Sequence, residues 1–284
     1  MTDEAVRIVG GIYRVGSLLG SGGMGEVYAA TGPAEQPVAL KFLRAAYAHD
    51  ADTVARFRRE SRIASRIQSP RVARVLGAGK DRDGLLWIAF ERLWGEPLEA
   101  RLMRDGALPT GDVAWVIQHV LEGLAAAHAI GAVHRDVKPG NVFLEAHPAG
   151  ARLLDFGVSK LRDPAIETQS PNLTDTDQAL GTPVFMAPEQ ALGVDVDARA
   201  DLYSAGAVAF VSLAGKLPFA AQSSHAIQHA KRYGVPLTLK AVTGREWPHA
   251  FEDFVRVSLE RDPTRRFDSA TAALAAWQRA IASV

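Results

Sequence analysis

Gly20-Ser21-Gly22-Gly23-Met24-Gly25-Glu26-Val27-Tyr28 is the stretch on which the fold turns. Its first six residues satisfy G-x-G-x-x-G, a spacing that also occurs in dinucleotide sites. A dinucleotide fingerprint opens a helix, whereas Glu26-Val27-Tyr28 continues as a β-branched and aromatic strand, so the glycines form the tip of a hairpin. Such a tip can lay backbone N–H groups over a polyphosphate, because residues without Cβ allow close approach. Taken alone, it is equally consistent with a hairpin that binds nothing.

Around this hairpin, Ile12 to Leu19, Glu26 to Ala30 and Pro37 to Leu43 read as an antiparallel meander. Asp52 to Ile67 sets Val54, Phe57, Ala64 and Ile67 at helical spacing, and strand character returns at Val72 to Leu76 and Leu85 to Leu93, on either side of the turn Asp81-Arg82-Asp83-Gly84. After Gly95 the pattern is helical: Leu98 to Asp105, then a long helix from Thr110 whose Val113, Val116, Ile117, Val120, Leu121 and Leu124 form an apolar stripe, then Ala198 to Leu213, Ser224 to Tyr233, Trp247 to Leu259 and Ala270 to Ile281. Strands first and helices later predict an α+β chain with a first lobe over 1–95, a hinge near 91–95 and a second lobe over 96–284.

The 284 residues are 48% hydrophobic and 23% charged, a globular rather than disordered composition. With 32 basic and 32 acidic residues the formal net charge is zero, which leaves no long-range field to draw the chain onto nucleic acid. The basic run Arg56, Arg58, Arg59, Arg62, Arg66, Arg71 and Arg74 is read as the solvated side of a helix. Cysteine is absent, removing disulfides and thiolate chemistry together. The start of the chain lacks the pattern of a signal peptide, and the most apolar stretch, Leu202 to Leu213, falls short of the roughly 18 residues that cross a bilayer. The expectation is a soluble cytoplasmic chain, or the cytoplasmic part of a longer membrane protein, with no membrane contact of its own.

Val38-Ala39-Leu40-Lys41 lies in the third strand, where the two-residue period puts Ala39 and Lys41 on one face. A lysine beside an anionic ligand needs a carboxylate to hold it. Glu60 is the candidate, because it shares a helix face with Phe57 and Ala64, and a carboxylate on the buried side of a helix is costly unless paired. The helical half supplies His134-Arg135-Asp136-Val137-Lys138-Pro139-Gly140-Asn141 and Asp155-Phe156-Gly157. Two aspartates, an asparagine and a lysine so close together are what a Mg²⁺-nucleotide transfer site requires, since Mg²⁺ is a hard cation that favours carboxylate, amide and phosphate oxygens.

From Tyr13 to Trp277 these residues, in order, resemble the eukaryotic-type Ser/Thr protein kinases, most closely the bacterial members. To the motifs above the resemblance adds Gly181-Thr182-Pro183, Ala187-Pro188-Glu189, Asp201 in Asp-Leu-Tyr-Ser-Ala-Gly, and Arg266 in Asp-Pro-Thr-Arg-Arg. It implies a bilobal kinase fold with a five-stranded antiparallel N-lobe, one main helix there and a mainly helical C-lobe. It implies transfer of the ATP γ-phosphoryl group to protein Ser/Thr hydroxyls with Mg²⁺, or Mn²⁺ in its place, autophosphorylation of the activation loop, and dimerisation as a route to transfer in trans. By the same resemblance Lys41, paired with Glu60, holds the α- and β-phosphates, Asn141 and Asp155 hold the metal, Asp136 accepts the hydroxyl proton, Lys138 lies against the moving phosphoryl and Thr182 fixes the cluster. Leu19 and Gly20 to Gly25, including Ser21, Gly22, Gly23 and Met24, then cover the nucleotide. Val27 and Ala39 roof the adenine, Phe90 is gatekeeper, and the backbones of Glu91 and Leu93 contact the base. Glu189 and Arg266 are implied to form a structural ion pair.

Some positions depart from the family pattern. Pro97 replaces a polar residue near the ribose, with Glu96 as the substitute, and Gly140 stands where kinases preferring arginine carry an acid. Thr174 and Thr176 are the expected phosphosites, with Arg56, Arg135 and Lys160 as the pocket for their phosphates. A pseudokinase would lack one of Lys41, Asp136, Asn141 or Asp155, and none is lost. A zinc site on His225 and His229 lacks the glutamate of H-E-x-x-H.

Overall fold

The computed structural model describes residues 7–22, 25–44, 51–146, 149–156, 184–191, 196–219 and 224–283. Of the candidate residues, Gly23, Met24, Lys160, Thr174, Thr176 and Thr182, and the side chains of Arg56 and Glu60, lie outside the described part. The chain divides into two compact units, Met1–Gln68 with Ala73–Trp94, and Ser69–Val72 with Gly95–Val284.

In the first unit, β1 (Ile8–Val9), β2 (Tyr13–Gly22), β3 (Gly25–Thr31), β4 (Pro37–Leu43), β5 (Val75–Lys80) and β6 (Leu86–Glu91) form one antiparallel sheet in the order β1-β2-β3-β4-β6-β5, with α1 (Ala51–Ala64) packed against β5. The sixth strand, β1, is an addition to the five expected. It is two residues long, pairs with Tyr13 and Arg14, and is folded back by Gly10, whose Cβ position lies 2.7 Å from the Trp87 ring and whose φ is +60°. Alternation sorts β4 as the period of two demands. Val38, Leu40 and Phe42 join Tyr13, Trp87 and Ala89 in an apolar core. Ala39 and Lys41 stand opposite Ala29 and Val27 on β3 and opposite Phe90 and Ile88 on β6. β5 begins at Val75, later than expected, because Val72 forms a parallel bridge with Leu153 instead.

The second unit contains β7 (Gly95–Pro97), β8 (Val142–Ala146) and β9 (Ala149–Leu153), a three-stranded antiparallel sheet, and helices α2 (Leu98–Asp105), α3 (Thr110–His128), α4 (Pro188–Ala191), α5 (Arg199–Ala214), α6 (Ser224–Tyr233), α7 (Leu239–Thr243), α8 (His249–Ser258) and α9 (Ala270–Ile281). Every residue of the predicted α3 stripe is buried. α5 is buried nearly all round, the mark of a central helix, and α3, α8 and α9 pack on it. Gly206 of α5 admits close approach: a Cβ there would collide with the Ser258 side chain of α8. Trp277 of α9 packs against Phe251 and Phe254 of α8, and its indole N–H donates to the Ala114 carbonyl at 2.8 Å. Among the described residues no helix is long and apolar enough to cross a membrane.

Candidate active site

The chain between α3 and β8 is irregular and its middle is buried, so its backbone needs partners other than water. Asp201, fully buried near the start of α5, supplies them. One carboxylate oxygen accepts from the His134 N–H and from His128 Nε2, both at 2.8 Å, and the other accepts from the Arg135 N–H at 2.7 Å. Arg135 consequently adopts φ +67°, a left-handed conformation that costs a non-glycine residue about 1–3 kcal/mol and persists only where the surroundings over-determine it. Gln190 adds a further restraint, donating to the Arg135 carbonyl at 2.9 Å while accepting from the Ala187 N–H at 3.0 Å.

This turn delivers Asp136, 8% exposed, between two donors. Lys138 Nζ lies 2.9 Å from its Oδ2, and Asn141 Nδ2 donates to the same oxygen at 3.0 Å and to the Asp136 carbonyl at 2.7 Å. The amide nitrogen of Asn141 is thereby engaged, which leaves its oxygen for a hard cation. The Asn141 carbonyl accepts from the Leu154 N–H at 2.9 Å, tying the turn to the end of β9, where Asp155 follows with φ +60°. His134 completes the tie. Its Nε2 donates to the Leu154 carbonyl at 2.8 Å, its Nδ1 accepts from the Asp136 N–H at 3.3 Å, and its ring lies 4.4 Å from that of Phe156.

In the first unit, Lys41 is only 6% exposed on β4, sharing a face with Val27, Ala39 and Phe90. Gly20 and Ser21 pair with Val27 and Glu26 in the hairpin, and Gly25 closes it at φ +152°, where a Cβ would collide with the Phe42 carbonyl oxygen. Leu19, in the same strand, is exposed. The N–H of Glu91 donates to the Arg74 carbonyl at 3.0 Å, and its side chain accepts from the Arg74 N–H at 2.8 Å. Lys80, which could compete for the role of Lys41, is exposed on β5.

Residues 13–277 match the model of the protein kinase domain. The chain belongs to the protein kinase family. It is 38% identical over 278 residues to the serine/threonine-protein kinase pkn3 of Myxococcus xanthus, covering 95% of this chain and 50% of that protein. It is 33% identical over 277 residues to the serine/threonine-protein kinase PknA of Mycobacterium tuberculosis, covering 95% of this chain and 61% of that protein. The chain thus spans about half the length of these curated relatives. Among solved structures, the PknI kinase domain of M. tuberculosis superposes with a TM-score of 0.76 at 29% identity, over 98% of this chain and 99% of that one.

In this kinase domain several groups carry more than the sequence reading assigned. Asp201 is there a motif member only, Arg266 the implied partner of Glu189, and Gln190 and His128 carry no signal. Arg266 lies in a buried fork with Glu189, its two terminal nitrogens 2.6 and 2.8 Å from the two carboxylate oxygens, as the resemblance implied. Glu96, the substitute ribose contact, is otherwise engaged: both its oxygens accept from Arg104, at 2.7 and 2.8 Å, and that pairing holds its carboxyl below the usual range. Beside Gly140 stands the Glu99 carboxylate, 3.3 Å from where a Cβ would be. The His229 ring lies 4.8 Å from that of Tyr233, tilted by 46°, while the side chain of His225 lies outside the described part.

Proposed function

We propose that this chain is a Ser/Thr protein kinase domain that transfers the γ-phosphoryl group of ATP to hydroxyls of protein substrates and of its own activation loop. The observation that carries the reading is the buried Asp136 carboxylate with Lys138 Nζ at 2.9 Å and the Asn141 amide at 3.0 Å. A carboxylate so placed accepts the proton of an attacking hydroxyl, and the neighbouring ammonium offsets charge on the phosphoryl in flight. Kinases of this family use ATP with a divalent metal. Here we take the metal to be Mg²⁺, with Mn²⁺ able to replace it. The donor set suits such an ion, because Asn141 and Asp155 would hold it through hard oxygens. When bound, it neutralises the phosphates and orients them.

In this account Lys41 grips the α- and β-phosphates with Glu60 as its counter-ion, and the hairpin from Leu19 to Gly25 covers them. Val27, Ala39 and Phe90 line the adenine, with Glu91 and Leu93 as its backbone contacts. Thr182 fixes the Asp136–Lys138 cluster. Phosphorylation at Thr174 and Thr176 brings a −1.5 to −2 charge to Arg135, Arg56 and Lys160, ordering the loop, and copies of the chain dimerise to exchange that phosphate in trans. We take the chain to work in the cytoplasm, by itself or as the cytoplasmic part of a longer membrane protein, where ATP is at hand.

The test is incubation with Mg²⁺ and γ-labelled ATP, followed by mapping of labelled residues. Label on Ser or Thr, including residues between Asp155 and Glu189, supports the reading. Tight nucleotide binding with no transfer to any protein would defeat it.

A further inference from the structure

Phe185, Met186 and Ala187 lead into α4 as irregular chain, and each is held by a side chain from a different helix. The Ser204 hydroxyl of α5, 3% exposed, lies 2.8 Å from the Phe185 carbonyl oxygen. Lys231 of α6, 2% exposed, donates from Nζ to the Met186 carbonyl at 2.7 Å. The Ala187 N–H donates to Oε1 of Gln190 in α4 at 3.0 Å, and Nε2 of the same side chain donates to the Arg135 carbonyl at 2.9 Å, one residue before Asp136.

Lys231 is the costly member of this set. Its Nζ lies 5.6 Å from the centroid of the Tyr203 ring, which the Arg266 guanidinium also faces at 4.9 Å, and burial pushes its pKa from 10.5 down to about 7. The buried ammonium therefore weakens the fold near neutral pH, and an unbranched apolar side chain in its place would not. Stability does not account for an amine here. What it does is hold one carbonyl.

We propose that Lys231 is a positioning residue for phosphoryl transfer: by holding the Met186 carbonyl it fixes segment 185–187, and through Ala187 and Gln190 it steadies the turn that presents Asp136. This role rests on the kinase reading given above. An ionised donor makes a hydrogen bond roughly twice as strong as a neutral one. When that bond is lost, Met186 shifts and carries the Ala187 N–H off Gln190, whose other end is then no longer aimed at Arg135. Arg135 has φ +67°, a conformation that its surroundings must enforce, so a slackened restraint there is passed to the next residue, Asp136. Misplacement of a reacting group by about 1 Å can lower a rate by about 10²-fold.

The test is Lys231→Met, compared with the parent at pH 7 in kcat for transfer to a protein acceptor, in nucleotide KM and in melting temperature. We expect kcat to fall at least about tenfold, with nucleotide KM within about twofold and the melting temperature equal to the parent's or higher. A loss of folded protein cannot produce that split. Gln190→Leu should slow transfer too, and because both residues act along one path, Lys231→Met/Gln190→Leu should be no slower than the slower single variant. Unchanged kcat in Lys231→Met, losses that multiply in the double variant, or a single variant that no longer folds would each overturn the proposal. Hydrogen exchange reads the tie without any turnover: the Ala187 and Arg135 amides should exchange at least about tenfold faster in Lys231→Met, and unchanged exchange would overturn the tie. An active parent matched by an equally active Lys231→Met sinks this proposal alone. A parent that never transfers phosphate sinks the kinase reading and the catalytic role with it, and exchange then decides whether Lys231 holds the segment.

Discussion

Replacing Arg266 by methionine should cost the kinase domain about 3–5 kcal/mol of stability, the range for stripping one partner from a buried ion pair. Arg266 makes five hydrogen bonds: two to the Glu189 carboxylate, at 2.6 and 2.8 Å, and one each to the carbonyls of Glu260, Arg199 and Arg261, at 2.7, 3.2 and 3.1 Å. Its side chain has no solvent exposure, and its guanidinium lies 4.9 Å from the Tyr203 ring. Methionine fills much of the volume but leaves Glu189 as a buried, uncompensated charge and strands three carbonyls. Domains have only about 5–15 kcal/mol in hand, so the loss is a large share of the total. The assay is urea unfolding followed by far-UV circular dichroism, where m values of about 1–3 kcal/mol/M turn this loss into a midpoint lowered by at least about 1 M. In Glu189→Leu/Arg266→Met no charge is stranded, so the double variant should be more stable than Arg266→Met alone. A cost below about 1 kcal/mol for Arg266→Met, or a double variant less stable than that single one, would refute the reasoning.

Asp201→Asn replaces an acceptor of three hydrogen bonds with a group that is half donor, so it should cost about 2–3 kcal/mol and release the left-handed turn at Arg135; the check is a lowered melting temperature with at least a tenfold loss of phosphotransfer. Lys231 is 2% exposed, donates to the Met186 carbonyl at 2.7 Å, and burial pushes its pKa from 10.5 down to about 7. Between those values the unfolded chain holds a proton that the folded chain has lost, so stability should rise with pH by up to about 1.4 kcal/mol per unit, and below pH 7 this contribution is flat. Lys231→Met should remove that slope in urea midpoints measured at pH 7, 8 and 9; an unchanged slope would rule it out. Lys41→Met, which takes the ammonium from β4, should abolish transfer, and full activity would mean that another cation holds the phosphates.

What could be read from the sequence was local. A glycine run that continues as a strand, a period of two that sets Lys41 beside Ala39, and the spacing from Asp136 to Asn141 are properties of neighbouring residues, and each has its counterpart in β3, β4 and the turn before β8. What could not be read was tertiary. Gly95-Glu96-Pro97 has no strand propensity and becomes β7 only by pairing with Phe143 to Glu145. Ile8 and Val9 are too few to announce a strand and are one because Tyr13 and Arg14 lie alongside. No pattern near Asp136 announces that its turn is held by Asp201 and Gln190. Nor does Glu96 reveal in sequence that α2 will present Arg104 to both its oxygens.

The central claim is that Asp136 takes the proton from the hydroxyl that attacks the γ-phosphoryl group. Asp136→Asn keeps the size of the side chain and an oxygen that can face Lys138 Nζ, and removes only the basic carboxylate. The measurement is transfer of labelled phosphate from ATP to protein, made alongside nucleotide binding on the same samples. The account predicts a rate lowered by about 10²–10⁴ with nucleotide affinity within a few-fold of the parent. Transfer at the parent rate would contradict it.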